Sequence, residues 1–124
     1  MRILLDTHLL LWALASPSKL TKAARRMIEK EEVFASVASI WEVAIKASLG
    51  KLAADASEVL AAVEPAGFAL LSIRGEHAAQ VAQLPMHHRD PFDRLLVSQA
   101  RVEPMRLLSN DEQLLAYGDF VVII

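Results

Sequence analysis

Five carboxylates of this chain occupy positions where they could hold a metal ion together. Asp6, Glu42 and Asp111 follow the first, second and fourth predicted strands at short distances along the chain. Asp90 and Asp93 begin the helix that leads to the fourth strand, and their i, i+3 spacing puts them on one face. Carboxylates held close together repel one another, and a divalent cation relieves that repulsion. Because the ligands would all be oxygens, the pattern indicates Mg²⁺ or Mn²⁺.

The same carboxylates also fit purely structural roles. The stretch Ser39-Ile40-Trp41-Glu42 matches a capping box, and Glu42 and Lys46 are spaced for an i, i+4 ion pair. Asp93, next to Arg94, fits a solvated charge in the first turn of a helix. Three residues stand where a helix N-cap is expected: Asp6, Asp90 and Asp111. The metal hypothesis therefore depends on all of them reaching the same end of one sheet.

Other kinds of site find little support in the sequence. The chain has no cysteine, which removes disulfides, thiolate metal sites and cysteine nucleophiles, and none of its four glycines lies in a phosphate-binding pattern. No G-x-S-x-G motif supports a serine nucleophile. His87 and His88 are adjacent, so we do not expect them to face one metal from a helix. His8 lies near Asp6, where it either contacts a substrate phosphate or stays a partly exposed helix residue.

Short apolar runs alternate with longer helical patterns along the whole sequence. The predicted strands are Arg2–Leu5, Val33–Ala35, Ala69–Ser72, Met105–Leu108 and Phe120–Ile124. The predicted helices are Thr7–Leu14, Thr21–Lys30, Ser39–Leu49, Ser57–Val63, Glu76–Gln83, Pro91–Val102 and Asp111–Tyr117. This alternation predicts an α/β fold with a mostly parallel sheet covered on both faces. In such sheets ligands bind beyond the carboxyl ends of the strands, which is where the carboxylates lie.

Length and composition fit one globular domain spanning residues 1–124. The chain has 124 residues, 54% hydrophobic and 23% charged, which excludes intrinsic disorder. Its net charge of −2 argues against a broadly basic surface for nucleic acid. The longest apolar run, Leu9 to Ala15, is far shorter than the roughly 20 residues of a membrane span. We expect a cytoplasmic protein, because Asp6 and His8 interrupt the only stretch similar to a signal peptide.

Four motifs of the sequence together resemble the PIN domain, and more narrowly the VapC-type toxins of bacterial toxin–antitoxin pairs. They are LLDTH at 4–8, SIWEVAIKASLGKL at 39–52, HRDPFDRLLVSQA at 88–100 and LLSNDEQLLAYG at 107–118. The four motifs occur in order and the match runs essentially from end to end. LLDTH alone would be a weak signal, whereas the set is specific.

This resemblance implies a three-layer α/β/α fold with a five-stranded parallel sheet and a metal-dependent endoribonuclease activity. The family's acidic positions fall on Asp6, Glu42, Asp93 and Asp111, with Asp90 as an auxiliary ligand. The implied cofactor is Mg²⁺ or Mn²⁺, and hydrolysis would leave a 3′-hydroxyl and a 5′-phosphate. The implied partners are an RNA substrate, a cognate antitoxin and a second copy of the chain. Candidate contacts to the RNA backbone are Lys46, Lys51, Arg89 and Arg94.

Two alternative functions share the predicted scaffold. A phospho-accepting receiver domain would need paired acids after the first strand and a lysine after the fifth. Asp6 stands alone, however, and the given sequence ends at Ile124. A non-catalytic interaction module on the same fold is the other alternative, and loss of metal binding would favour it.

The first predicted helix is apolar on nearly all sides, which is more than one core-facing stripe requires. It contains Leu9, Leu10, Leu11, Trp12 and Leu14. Such a helix is either enclosed in the core or lends part of its surface to another chain. By the resemblance, an antitoxin segment would cover the region of Trp12.

Overall fold

The computed structural model describes all residues from Met1 to Ile124 and contains one five-stranded sheet. Its strands are β1 (Arg2–Leu5), β2 (Glu32–Ser36), β3 (Ala69–Leu71), β4 (Arg106–Ser109) and β5 (Val121–Ile123). The strand order is β3-β2-β1-β4-β5, and every neighbouring pair is parallel. The prediction of an α/β fold with a five-stranded parallel sheet is thus confirmed.

Helices cover both faces of this sheet. The α-helices are α1 (Thr7–Ala15), α2 (Lys22–Lys30), α3 (Val37–Ser48), α4 (Ala56–Val63), α5 (Gly75–Gln80) and α6 (Pro91–Val102), with 3₁₀ turns at Pro17–Lys19, Val81–Gln83 and Glu112–Tyr117. One core contains Leu4, Leu107 and residues of α6, and the other contains Ile3, Leu5 and residues of α1 and α2. Alternate residues of β1 therefore point into opposite cores, as a buried central strand requires. None of the helices has the length and apolarity that crossing a membrane would require.

The strand order creates a crevice at the carboxyl ends of β1 and β4. The chain steps from β1 to β2 and β3 on one side of the sheet, then crosses to β4 and β5 on the other. The adjacent strands β1 and β4 thus have connections that leave in opposite directions, which opens a gap above their ends. The backbone N–H of Asp6 donates to Leu108 O at 3.0 Å and so fixes the end of β1 beside β4.

The structure corrects some details of the predicted elements. Helix α3 begins at Val37, two residues earlier than predicted, with Ser36 as its N-cap accepting from Ala38 N at 2.9 Å. The predicted capping box at Ser39 is therefore wrong, because Ser39 already lies inside the first turn of the helix. The predicted last helix is a 3₁₀ helix, for which Asp111 is the N-cap. The predicted helix over residues 76–83 is a short α-helix followed by a 3₁₀ turn.

Candidate metal centre

Asp6 is held rigidly at the junction of β1 and α1. Its Oδ1 accepts from the backbone N–H of Leu9 at 2.9 Å, and its Oδ2 accepts from the Ser109 hydroxyl at 2.6 Å. Burial raises the pKa of Asp6, while these two hydrogen bonds act in the opposite direction. Asp6 is thus both the N-cap of α1, as its position in the sequence indicated, and a buried carboxylate in the crevice.

Glu42 reaches the same crevice from the second turn of α3. Only 4% of the residue is exposed, and its Oε1 accepts from the Thr7 hydroxyl at 2.6 Å. Its Oε2 forms the i, i+4 ion pair with Lys46. The hydrogen bond to Glu42 raises the pKa of Lys46, so this ammonium is held in its charged form. The ion pair expected from the spacing is therefore present, but it lies inside the cleft rather than on a solvated face.

Asp90 and Asp93 have different surroundings although they share one face of α6. Asp90 is the N-cap, and its Oδ1 accepts from the backbone N–H of Phe92 at 2.8 Å and of Asp93 at 3.1 Å. Burial raises the pKa of Asp93 to about 7, and the nearby carboxylates of Asp90, Glu42 and Asp6 add to that rise. Asp93 is therefore the carboxyl whose ionised form most needs a nearby cation.

Asp111 follows β4 and completes the group from the other side of the crevice. Its backbone N–H donates to the Ser109 hydroxyl at 2.9 Å, and its Oδ1 accepts from Gln113 N at 3.0 Å. Ser109 thus links two of the predicted site residues, since its hydroxyl donates to Asp6 and accepts from Asp111.

His88 is a site residue that the sequence analysis missed. Its Nε2 lies 2.8 Å from Asp111 Oδ2 and 3.6 Å from Asp93 Oδ2. The adjacent His87 instead packs edge-on against Tyr117, with 5.1 Å between the ring centroids. Within a helix, His87 and His88 could not both face one metal. They lie before α6, however, where consecutive side chains diverge, and only one of them enters the site.

All the predicted carboxylates line one cavity of about 480 Å³. His88 does not line this cavity itself, but it adjoins two residues that do. Potential ligand atoms of His88, Asp93 and Asp111 lie within 4.8 Å of one another. Lys46 is the one lysine or arginine among the lining residues, which are Asp6, His8, Trp12, Glu42, Lys46, Asp90, Asp93, Asn110 and Asp111. Five carboxylates facing one ammonium form a strongly negative, oxygen-rich cavity that fits a hard divalent cation.

Not all of the four basic residues that were expected to contact RNA are accessible in the structure. Arg94 is 7% exposed, and its guanidinium donates to Val81 O at 3.1 Å and Leu84 O at 3.3 Å. The prediction that Arg94 contacts RNA is therefore wrong, because its side chain is buried and holds the segment that precedes α6. Arg89 and Lys51 are exposed, and Lys46 lines the cleft.

An apolar groove of about 410 Å³ adjoins the acidic cavity. Leu11, Trp12 and Leu14 of α1 line one side, and Val59 of α4 and Leu52 line the other. His8 and Trp12 line both cavities, so the two are continuous at α1. The predicted excess apolar surface of α1 is thus present in the folded chain as this groove.

The titration of Asp93 predicts how the stability of the metal-free protein depends on pH. Its folded pKa of about 7 exceeds the unfolded value of 3.8, so the folded state binds the proton more tightly. Its contribution to the free energy of unfolding is fully present below 3.8 and is lost as the pH rises through about 7. In chelator, thermal unfolding of the wild type should show this loss, whereas Asp93→Asn should lack that part of it. Equal pH slopes in the two proteins would contradict the assignment.

The chain is similar to one protein family model and to several solved structures. A family model described as the PIN domain matches residues 3–119. No curated protein sequence matches the chain. A crystal structure of VapBC2 from Rickettsia felis bound to a promoter DNA fragment is similar, with a TM-score of 0.71, 12% identity, and coverage of 100% of this chain and 98% of that chain.

Two further solved structures share the fold over nearly their whole length. A toxin–antitoxin complex from Klebsiella pneumoniae has a TM-score of 0.66 and 15% identity, covering 97% of this chain and 95% of that chain. FitAcB from Neisseria gonorrhoeae has a TM-score of 0.67 and 17% identity, covering 98% of this chain and 96% of that chain. At such low identities these likenesses establish the fold alone.

Proposed function

The chain belongs to the PIN domain family, and we propose that it is a divalent-metal-dependent endoribonuclease that acts as the toxin of a toxin–antitoxin pair. The observation that carries this proposal is the meeting, in one cavity, of carboxylates from the β1–α1 junction, α3, the start of α6 and the turn after β4. Four separate elements supply these charges, so the cluster is a product of the fold and not of one acidic stretch. Similarity to a solved toxin–antitoxin complex from Klebsiella pneumoniae, and to the VapBC2 and FitAcB structures, supports the proposed biological role.

The residues that would hold the metal are Asp6, Glu42, Asp93 and Asp111, with Asp90 as an auxiliary ligand. Their oxygen donors fit one or two ions of Mg²⁺ or Mn²⁺. When bound, the metal supplies Lewis acidity toward the phosphodiester and an activated water for in-line hydrolysis. The products expected from the family resemblance are a 3′-hydroxyl and a 5′-phosphate, and the RNA would be met in the cytoplasm.

The chain's other residues prepare the site before substrate arrives. Thr7 and Ser109 each donate a hydroxyl hydrogen bond to a carboxylate, at 2.6 Å to Glu42 and 2.6 Å to Asp6. These bonds fix the oxygens without neutralising them, so their charge remains available to a cation. Lys46 forms an ion pair with Glu42 and lies 3.9 Å from Asp90 Oδ2, where it offsets part of the negative field that an RNA phosphate would meet.

A metal titration coupled to an RNA cleavage assay tests this function. We expect the chelated protein to leave RNA intact and added Mn²⁺ or Mg²⁺ to restore endonucleolytic cleavage. Binding of RNA or a protein partner without metal binding or cleavage would instead favour the non-catalytic interaction module.

We further propose that the antitoxin partner places an apolar segment in the groove between α1 and α4. The groove is lined mainly by apolar side chains, and it meets the acidic cavity at His8 and Trp12. A segment seated there would extend to the edge of the acidic cavity, so that binding and inhibition would be coupled. The similar Klebsiella pneumoniae structure is a toxin–antitoxin complex by its description, which supports an antitoxin partner for this chain.

Fluorescence provides a direct test of this docking site. The chain has two tryptophans, so Trp41→Phe leaves Trp12 as the single reporter and Trp12→Phe leaves Trp41 as the matched control. Antitoxin binding should shift the emission of Trp12 and slow hydrogen exchange in α1 and α4, because both would lose contact with water. If complex formation leaves the Trp12 emission and the exchange of both helices unchanged, the antitoxin does not dock in this groove.

A homodimer is part of the proposal, as the resemblance implies. Trp41 of α3 and Leu49, the C-cap of that helix, are 52% and 62% exposed, and Ile45 lies between them at i, i+4, i+8 spacing. Trp41 also packs edge-on against Phe92 at 5.0 Å between centroids. This apolar stripe is separate from the α1 groove, so a second copy and an antitoxin could be bound at the same time.

A further inference from the structure

His88 lies close enough to the carboxylates of the site to be considered a metal ligand. Its Nε2 is within 4.8 Å of carboxylate oxygens of both Asp93 and Asp111, and its side chain is only 13% exposed. A nitrogen among oxygens would also shift the preference of the site from Mg²⁺ toward transition metals. Whether His88 is a ligand therefore affects which ion the protein uses.

The hydrogen bond on the other side of the ring argues against ligation. The backbone N–H of Asp90 donates to His88 Nδ1 at 3.0 Å. An imidazole nitrogen that accepts an N–H carries no proton, so the proton of the neutral ring must lie on Nε2. A protonated Nε2 has no lone pair for a metal, but it can donate to Asp111 Oδ2 at 2.8 Å.

We propose that His88 is a positioning residue that orients Asp111 for the metal without binding the metal itself. This inference rests on the proposed function. With His88 donating to Oδ2 and Gln113 N donating to Oδ1 at 3.0 Å, both oxygens of Asp111 are fixed. Asp111 needs this support because 36% of its side chain is exposed and it lies in a turn, not inside a helix. Hydrogen bonds to a ligating carboxylate typically change metal affinity by about 10- to 100-fold.

The backbone around His88 is arranged to keep this tautomer. The N–H of His88 donates to the Tyr117 hydroxyl at 3.1 Å, while Asp90 N, two residues later, donates to the ring. The segment that leads to His88 is held in turn by the buried guanidinium of Arg94. The ring is thus anchored on two sides before any metal arrives, which is the condition for preorganising Asp111.

Two substitutions at this position separate a donor from a ligand. His88→Gln keeps an N–H donor near the position of Nε2, whereas His88→Leu removes it. We expect the Mn²⁺ affinity, measured by electron paramagnetic resonance of the free ion, to fall about 10- to 100-fold in His88→Leu and to stay close to wild type in His88→Gln. The control is His87→Leu, which changes an exposed neighbour and should leave the affinity unchanged.

Pulsed electron paramagnetic resonance of the Mn²⁺-loaded wild type provides a second readout. We expect no coupling to a directly bound histidine nitrogen, and detection of such coupling would overturn the inference by making His88 a ligand. Wild-type affinity in His88→Leu would also overturn it while leaving the proposed function intact. A wild-type protein that neither binds Mn²⁺ nor cleaves RNA would overturn the proposed function, and this inference with it.

Discussion

Replacement of Asp6 by asparagine should almost abolish RNA cleavage while making the metal-free protein more stable. The variant keeps the shape of the side chain and an oxygen that can accept from Leu9 N, so α1 keeps its cap. It removes a charge whose ionised form is disfavoured by burial and by the nearby Glu42. A bound metal contributes several kcal/mol to catalysis, so losing one of its charged ligands should slow cleavage by about 100- to 1,000-fold.

The Asp6 prediction is specific because the cleavage rate should fall while the stability of the metal-free protein should rise. Cleavage rate with saturating Mn²⁺ and thermal unfolding in chelator would be measured on the same preparation. Asp55→Asn is a matched control, because Asp55 caps α4 through Glu58 N at 3.1 Å and lies outside the acidic cavity. Undiminished cleavage by Asp6→Asn, with tight Mn²⁺ binding retained, would remove Asp6 from the metal site.

Asp93→Asn should reduce cleavage far more than Asp90→Asn, although the two carboxylates lie one turn apart on α6. Asp90 accepts two backbone N–H bonds as the helix cap, and asparagine performs that role about equally well. Burial and the carboxylates of Asp90, Glu42 and Asp6 raise the pKa of Asp93 to about 7. Asp93 therefore interacts directly with the other charged groups of the cleft, where a metal would bind. We expect a loss of about 100-fold or more for Asp93→Asn and less than about tenfold for Asp90→Asn.

Steady-state cleavage and Mn²⁺ affinity of the two variants provide the comparison. Asp90→Ala adds a check on the structural role, since loss of a cap costs about 1 kcal/mol of stability. That variant should unfold more easily than Asp90→Asn while cleaving RNA at a similar rate. Equal or reversed losses for the two asparagine variants would mean that the metal position had been assigned one helical turn too far along the chain.

The fold and the main members of the site could be predicted from the sequence because their signals are local. Each strand is a short apolar run bounded by polar or turn residues, and the parallel arrangement follows from alternation with helices. Asp6 and Asp111 come just after β1 and β4, so a parallel sheet is enough to place them at the same edge. That β1 and β4 are neighbours in the sheet is known only from the structure. The spacing of Glu42 and Lys46 likewise predicted their ion pair.

The sequence could not determine where a side chain points when it lies at the end of a helix or strand, or when it contacts a distant segment of the chain. Ser36 caps α3 in place of the predicted Ser39, because the last residue of β2 already has the extended backbone that a cap requires. Arg94 follows Asp93 by one residue, yet the turn of α6 directs it into the protein, where it holds the segment before the helix.

At the site itself, the contacts of His88 likewise could not be predicted from the sequence. Its partner Asp111 lies 23 residues away, and its tautomer depends on the backbone N–H of Asp90. The sequence alone thus determined which elements form and at which edge the carboxylates gather. Only the tertiary structure decided which neighbouring side chains face that edge, because contacts between distant segments depend on how the helices pack against the sheet.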